Sequence, residues 1–174
     1  MRNIMLPEIR ALARAAKGEI DRIFLHWSAG HYSQPFSDYH LNIDYNGEVF
    51  TDIRSFTDLL AHTWKQNRRA IGISMLCCFN ATPNDLGPEP PTDYHIEGMA
   101  QVIAVLCHEL ELPVDLDHVR THAEQADIDG YGPATTMERW DVWILREGDE
   151  PGSGGEILRG KAKYYLAHGL MDQI

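Results

Sequence analysis

Apolar residues recur at helical spacing over residues 6–17, where Leu6, Ile9, Leu12, Ala13 and Ala16 share one face and Gly18 stops the run. Residues 20–27 read as a strand, with Ile23-Phe24-Leu25 running into His26 and Trp27. Residues 28–37 hold Gly, Ser and Pro without a period and read as a loop. Two strands, 39–45 and 48–53, flank Asn46-Gly47, a hairpin signal because both central residues tolerate positive φ. Residues 56–66 are open to helix or loop, and 70–79 are apolar and strand-like. Four prolines make 82–92 an irregular excursion. Asp93 is placed to cap a helix whose stripe is Ile96, Met99, Ile103, Leu106 and Leu110, ending before Pro113. Residues 114–121 lead back, as a short strand, to His122. A Gly-rich acidic linker, 147–156, precedes a last amphipathic helix over 157–170. The alternation predicts an α/β fold for residues 1–174: one domain with a mixed central β-sheet flanked by helices.

Composition narrows the function classes. With 174 residues, 44% of them hydrophobic, the chain can bury a single core. No apolar run approaches the roughly 20 residues that span a bilayer, so membrane insertion is not expected. The first residues, Met1 to Glu8, lack a charged-then-apolar leader, so no signal peptide is expected either. A net charge of -11 argues against nucleic acid or anionic lipid as the main partner, because both are bound through Lys/Arg excess. The three cysteines, Cys77, Cys78 and Cys107, sit in apolar runs and read as small buried hydrophobes rather than a disulfide framework.

The candidate chemistry rests on three separated residues. His26 closes a strand, His122 follows a second short strand, and Asp141 lies between Trp140 and Trp143. Two imidazoles and a carboxylate suit one Zn2+ ion that keeps a fourth position open. A strand end holds a ligand's backbone stiffly, which such a site needs. Glu124 is the main rival to Asp141 as third ligand, with Asp127 and Asp129 more distant. His95, His108, His118 and His168 lie in helical or flanking surface contexts.

Longer strings add a resemblance. Phe24-Leu25-His26-Trp27-Ser28-Ala29 is a strand, a histidine and a small-residue turn. Asp38-Tyr39-His40 leads into the Asn46-Gly47 hairpin. His62, Asn67 and Ile71-Gly72-Ile73 follow, then Thr121-His122-Ala123-Glu124, then Arg139-Trp140-Asp141. In this order the strings resemble the zinc N-acetylmuramoyl-L-alanine amidases of type 2, the group that includes phage lysis amidases and peptidoglycan-recognition proteins. The resemblance spans residues 23 to 143. It implies zinc ligation by His26, His122 and Asp141, catalytic assistance by Tyr39, and an oxyanion-stabilising cation at Arg139, where the family usually has lysine. It implies a substrate groove lined by His62 and Asn67, with Trp27 beside the first ligand. The implied partner is peptidoglycan, cut between the lactyl group of N-acetylmuramic acid and L-alanine of the stem peptide. Acting on a wall without a leader implies release by a holin or delivery by a secretion machine.

Residue chemistry suits that reaction and leaves several roles open. Arg139 is either a permanently charged oxyanion donor or a surface partner of Glu138 or Asp141. Tyr39 orients water or donates to the intermediate, or is a half-buried strand tyrosine. Glu124 either accepts a ligand's second N–H or forms a surface salt bridge. Departures from the family are visible as well. Only twelve residues separate His26 from Tyr39, so the groove wall there is built from the 30–37 loop or from elsewhere. Ser74 stands where the cytoplasmic recycling branch has a catalytic glutamate. Residues 126–138 are long enough to form a loop over the site. A non-catalytic wall-binding module of the same shape and a zinc hydrolase of another amide are the competing readings.

Overall fold

The strand expected at 20–27 forms as β2, Arg22–Trp27, after β1 (Arg2–Asn3) and α1 (Leu6–Ala15). In the computed structural model, which describes residues 1–169, the chain continues through β3 (Leu41–Ile43), β4 (Val49–Thr51) and β5 (Ala70–Met75). It then runs through α2 (Asp93–Leu110), β6 (Val119–Thr121), α3 (His122–Asp129) and α4 (Gly154–His168). Among the described residues the strands make one six-stranded sheet in the order β1-β4-β3-β5-β2-β6. It is mixed: β3, β5, β2 and β6 are parallel, while β4 and β1 add antiparallel at one edge. The expected α/β architecture is therefore present.

Side chains alternate across a strand, and that alternation gives the sheet two different faces. Ile23, Leu25 and Trp27 align with Ile71, Ile73 and Met75, and the last two with Leu41 and Ile43. These residues join α1, α2 and α4 in one apolar core. Phe24 and His26 align with Gly72 and Ser74 on the opposite face. That face carries no long helix; the turn-rich segment 52–69 covers it, which resolves the helix-or-loop ambiguity at 56–66 in favour of loop. The helical layer lies on one side and a polar site is free to form on the other.

Several expected boundaries move. The predicted cap of α2 is Asp93, but Thr92 takes that role: its Oγ1 accepts from His95 N (3.1 Å), and His95 Nδ1 accepts from Thr92 N (3.1 Å). The hydroxyl one residue earlier reaches the third turn position, and Asp93 pairs with Arg146 at 2.6 Å instead. The hairpin at Asn46-Gly47 forms, but only Gly47 has positive φ. Asp44 Oδ1 accepts from Asn46 N and Glu48 N, both at 2.9 Å, and so ties down the turn from outside it. The last helix starts at Gly154 rather than 157, and position 170 of its expected range lies outside the described residues. The two-residue β1 is too short to show a pattern and was not anticipated. Cys77, Cys78 and Cys107 are buried and free. No helix among the described residues is long and apolar enough to cross a membrane.

Glu109, on α2, ties that helix to α1. Its carboxylate accepts from Arg14 at 2.9 Å and Arg10 at 2.8 Å. Hydrogen bonding from Arg14, ahead of Arg10, holds its carboxyl down at about 2. A depressed carboxyl contributes stability that is present above its unfolded value near 4.5 and lost as the pH falls toward 2. Glu109→Gln should therefore cost about 1–2 kcal/mol at pH 7, a figure reduced for the solvent-exposed side of Arg14. Urea unfolding should show the gap between wild type and variant closing as the pH drops through 3.

Candidate metal centre

The centre is built where β2, β6 and the 139–143 loop meet. His26 lies on the helix-free face near the end of β2 and is fully buried. His122 is the first residue of α3, just beyond β6, so the strand-to-helix corner aims its ring at His26. Thr121 caps that helix, accepting from Glu124 N at 3.0 Å. Asp141 arrives on a loop whose backbone is held by Gly152 N and Gly154 N, both donating to Trp143 O at 3.1 Å. Val142, next to Asp141, has φ 61, a strained conformation for a β-branched residue. The Val142 carbonyl sits so close to Gly154 that a Cβ there would meet it at 2.0 Å. The start of α4 thus clamps the loop that presents Asp141.

Three donor atoms converge. Nδ1 of His26 is 3.0 Å from Asp141 Oδ2, and Nδ1 of His122 is 3.1 Å from the same oxygen. The three candidate ligand groups lie within 4.8 Å of one another. Donors bound tetrahedrally at 2.0–2.1 Å stand about 3.3 Å apart, so the spacing and the donor types both fit zinc. Burial lowers the pKa of His26, against the opposing pull of Asp141. Burial raises that of Asp141, but the two imidazoles outweigh it and hold the carboxyl below its usual range. A neutral imidazole and an ionised carboxylate are the ligand-ready forms.

A layer of aromatic and polar groups surrounds the donors. The His62 ring stands edge-on to His26 at 5.5 Å and to His40 at 5.5 Å. Burial, then neighbouring imidazoles, push His62 down to about 2, so it stays neutral. Gly72 explains the Ile-Gly-Ile string: a Cβ there would meet His62 Cγ at 2.5 Å. Asn67 Oδ1 accepts from His62 N (3.1 Å) and Thr63 N (2.8 Å), and so shapes the turn that carries His62. The Tyr39 ring lies 5.0 Å from His26. Burial, reinforced by Asp141 and Asp38, lifts its phenol above the ordinary range, so it is a donor and not a base.

His122 and Asp141 open into a groove of about 920 Å³, while His26 is fully buried beside them. Trp27, Tyr39, His62, Asn67 and Arg139 all line it, as do Trp64, Lys65 and Tyr131. Trp27 is only 5% exposed and also belongs to the helix-side core. Arg139 is exposed on the rim, its Nη1 donating to Glu138 O at 3.0 Å. The wall beyond Tyr39 is not made by residues 30–37, because Glu89 ties that loop toward the proline-rich segment through His31 and Tyr32 N. Residues 61–65 form the wall instead.

Glu124 does not join the group. Its carboxylate accepts from Thr121 N (2.9 Å) and from both terminal nitrogens of Arg159 on α4 (2.9 and 2.8 Å). It closes the cap of its own helix, because the third helical position points back along the axis and away from the ligand ring. Asp127 and Asp129 do not join it either: Asp127 accepts from Ala134 N at 2.7 Å, and Asp129 from Gln125 at 3.0 Å. Two residues escaped the sequence reading. Thr63 Oγ1 is 3.3 Å from His26 Nε2, and Tyr131 Oη is 3.4 Å from His122 Nε2. Neither belongs to a periodic pattern; their only signals are position beside His62 and in the 126–138 loop.

No curated protein matches the sequence. Among solved structures, the endolysin amidase LysCS from Clostridium intestinale URNW aligns at 14% identity and TM-score 0.46, covering 60% of this chain and 69% of that one. Drosophila PGRP-LB aligns at 18% identity and TM-score 0.47, covering 77% and 87%. A family model described as N-acetylmuramoyl-L-alanine amidase matches residues 16–137, which include His26, Tyr39, His62, Asn67 and His122 and end before Arg139 and Asp141. By that match over most of its length, this chain belongs to the N-acetylmuramoyl-L-alanine amidase family.

Proposed function

We propose that the chain is a single zinc-dependent amidase domain that cleaves peptidoglycan between N-acetylmuramic acid and the L-alanine of the stem peptide. The observation that carries this is the meeting of His26 Nδ1, His122 Nδ1 and Asp141 Oδ2 beside one open groove that His122 and Asp141 line. A binding module without catalysis needs no such complete donor set. When bound, zinc polarises the amide carbonyl and lowers the pKa of its water toward about 7.

The chain's own groups supply the rest. Tyr39, kept protonated by its burial, donates a hydrogen bond to the developing oxyanion. Arg139 brings a permanent positive charge to the same groove from the opposite loop. Trp27 and Trp140 line the groove beside the donors. The groove admits an extended substrate because its walls, Asp38-Tyr39 and residues 61–65, leave it open. The protein then acts on cell wall, reached by lysis or secretion.

Digestion of purified peptidoglycan followed by mass spectrometry tests the proposal. The expected products are free stem peptides that begin with L-alanine and glycan strands stripped of them. Chelation should stop their release and added zinc restore it. Fragments that still join stem peptide to sugar, or an unchanged digest after chelation, would overturn the reading.

A further inference from the structure

Each candidate ligand imidazole turns one nitrogen inward and the other against a hydroxyl. His26 presents Nδ1 to Asp141 and Nε2 to Thr63 Oγ1; His122 presents Nδ1 to Asp141 and Nε2 to Tyr131 Oη. Both arrangements are built. Thr63 is 1% exposed and sits in the turn shaped by Asn67. Tyr131 is wedged by its ring edge-on to Trp64 at 5.8 Å and to His122 at 6.1 Å.

Protons follow from this placement. A neutral imidazole that offers the Nδ1 lone pair to a metal carries its proton on Nε2, and a buried N–H needs an acceptor. Histidine ligands usually donate that proton to a carboxylate, a backbone carbonyl or water. Here two neutral side-chain hydroxyls accept instead. The Thr63 hydroxyl is also fixed from its other side, its oxygen 3.0 Å from His62 Nδ1. In that tautomer His26 Nε2–H donates to Thr63 Oγ1. Removing either hydroxyl leaves an Nε2–H unsatisfied. The ring then favours the other tautomer, with the proton on Nδ1 donated to Asp141 Oδ2. That tautomer closes the lone pair a metal needs.

We infer that Thr63 and Tyr131 are positioning residues that hold His26 and His122 in the metal-binding tautomer and so set how tightly the centre keeps zinc. The inference rests on the zinc reading proposed above. Neither hydroxyl belongs to the candidate donor set of His26, His122 and Asp141.

The test is the zinc dissociation constant of the full chain, measured by competition with a chromophoric chelator. Four proteins are compared: wild type, Thr63→Val, Thr63→Ser and Tyr131→Phe. Thr63→Val and Tyr131→Phe are nearly isosteric, Thr63→Ser removes one methyl group, and thermal unfolding of the metal-free proteins checks that the fold is kept. Thr63→Val and Tyr131→Phe should each weaken zinc binding about tenfold or more. Thr63→Ser, which restores the hydroxyl, should bind within a few-fold of wild type, a rescue that a packing role for the methyl group would not give. If wild type retains zinc and the Val and Phe variants retain it equally well, the inference is overturned while the zinc reading stands. If wild type binds no zinc, both fall.

Discussion

His122→Ala should reduce bound zinc from one equivalent to a trace and lower wall-digesting activity at least about 10³-fold, equivalent to the several kcal/mol a catalytic metal contributes. The reason is geometric. His122 Nδ1 is, with His26 Nδ1, within 3.1 Å of Asp141 Oδ2, and an alanine there leaves two donors for an ion that needs three from the protein. The fold should survive, because the side chain lines the groove and is not part of the apolar core. Glu124→Ala, two residues away, should behave in the opposite manner. It removes the reciprocal cap of α3 and the partner of Arg159, so it should cost about 1–2 kcal/mol of stability while zinc stays bound. Metal analysis, digestion assays and denaturant unfolding on the two variants separate ligand from scaffold. A His122→Ala protein that still holds stoichiometric zinc would remove this residue from the centre.

Gly72→Ala should be the most damaging single-methyl change in the sheet. The new Cβ would stand 2.5–2.8 Å from three atoms of the His62 ring. The ring has little room to yield, since Phe24, His26 and His40 rings lie 5.5–6.0 Å away around it. Overpacking of this kind costs about 1–3 kcal/mol, at times more. It should also shift His62 against Thr63 and His26, so zinc affinity should fall together with stability. Ala at Gly18, where nothing stands within 4 Å of a new Cβ, is a control: it meets only the strain of φ +82 and should leave zinc affinity unchanged. The two readouts are the denaturation midpoint and the zinc dissociation constant. Wild-type values for both in Gly72→Ala would show that the contact is not restrictive.

The neutral state of the imidazole cluster follows from burial, and it explains why one loop can carry so much of the site. His26, His40 and His62 are all pushed below the ordinary imidazole value, burial being the first cause in each. These three rings can crowd together only if they do not all charge. Segment 52–69, with Asn67 tying its turn, is therefore both the lid of the sheet's polar face and the supplier of Thr63, Trp64 and Lys65 to the groove.

Much of this architecture was legible in the residues. The strand into His26 is apolar and continuous because both of its faces are covered, and the α2 stripe is apolar because one face meets the sheet. His26, His122 and Asp141 could be singled out because each sits where a regular element or a bulky neighbour stiffens the backbone. What the chain could not declare is which nearby polar groups share a point in space. Asp141 was the expected third ligand, with Glu124 as its main rival. The helical geometry of α3 turned the first toward Arg159, while the glycines at the start of α4 let the second reach in. Thr63 and Tyr131 were invisible for the same reason. A hydroxyl's role depends on a partner within about 3.5 Å, and that distance is decided by how segments far apart in sequence pack across the sheet, not by any period along it.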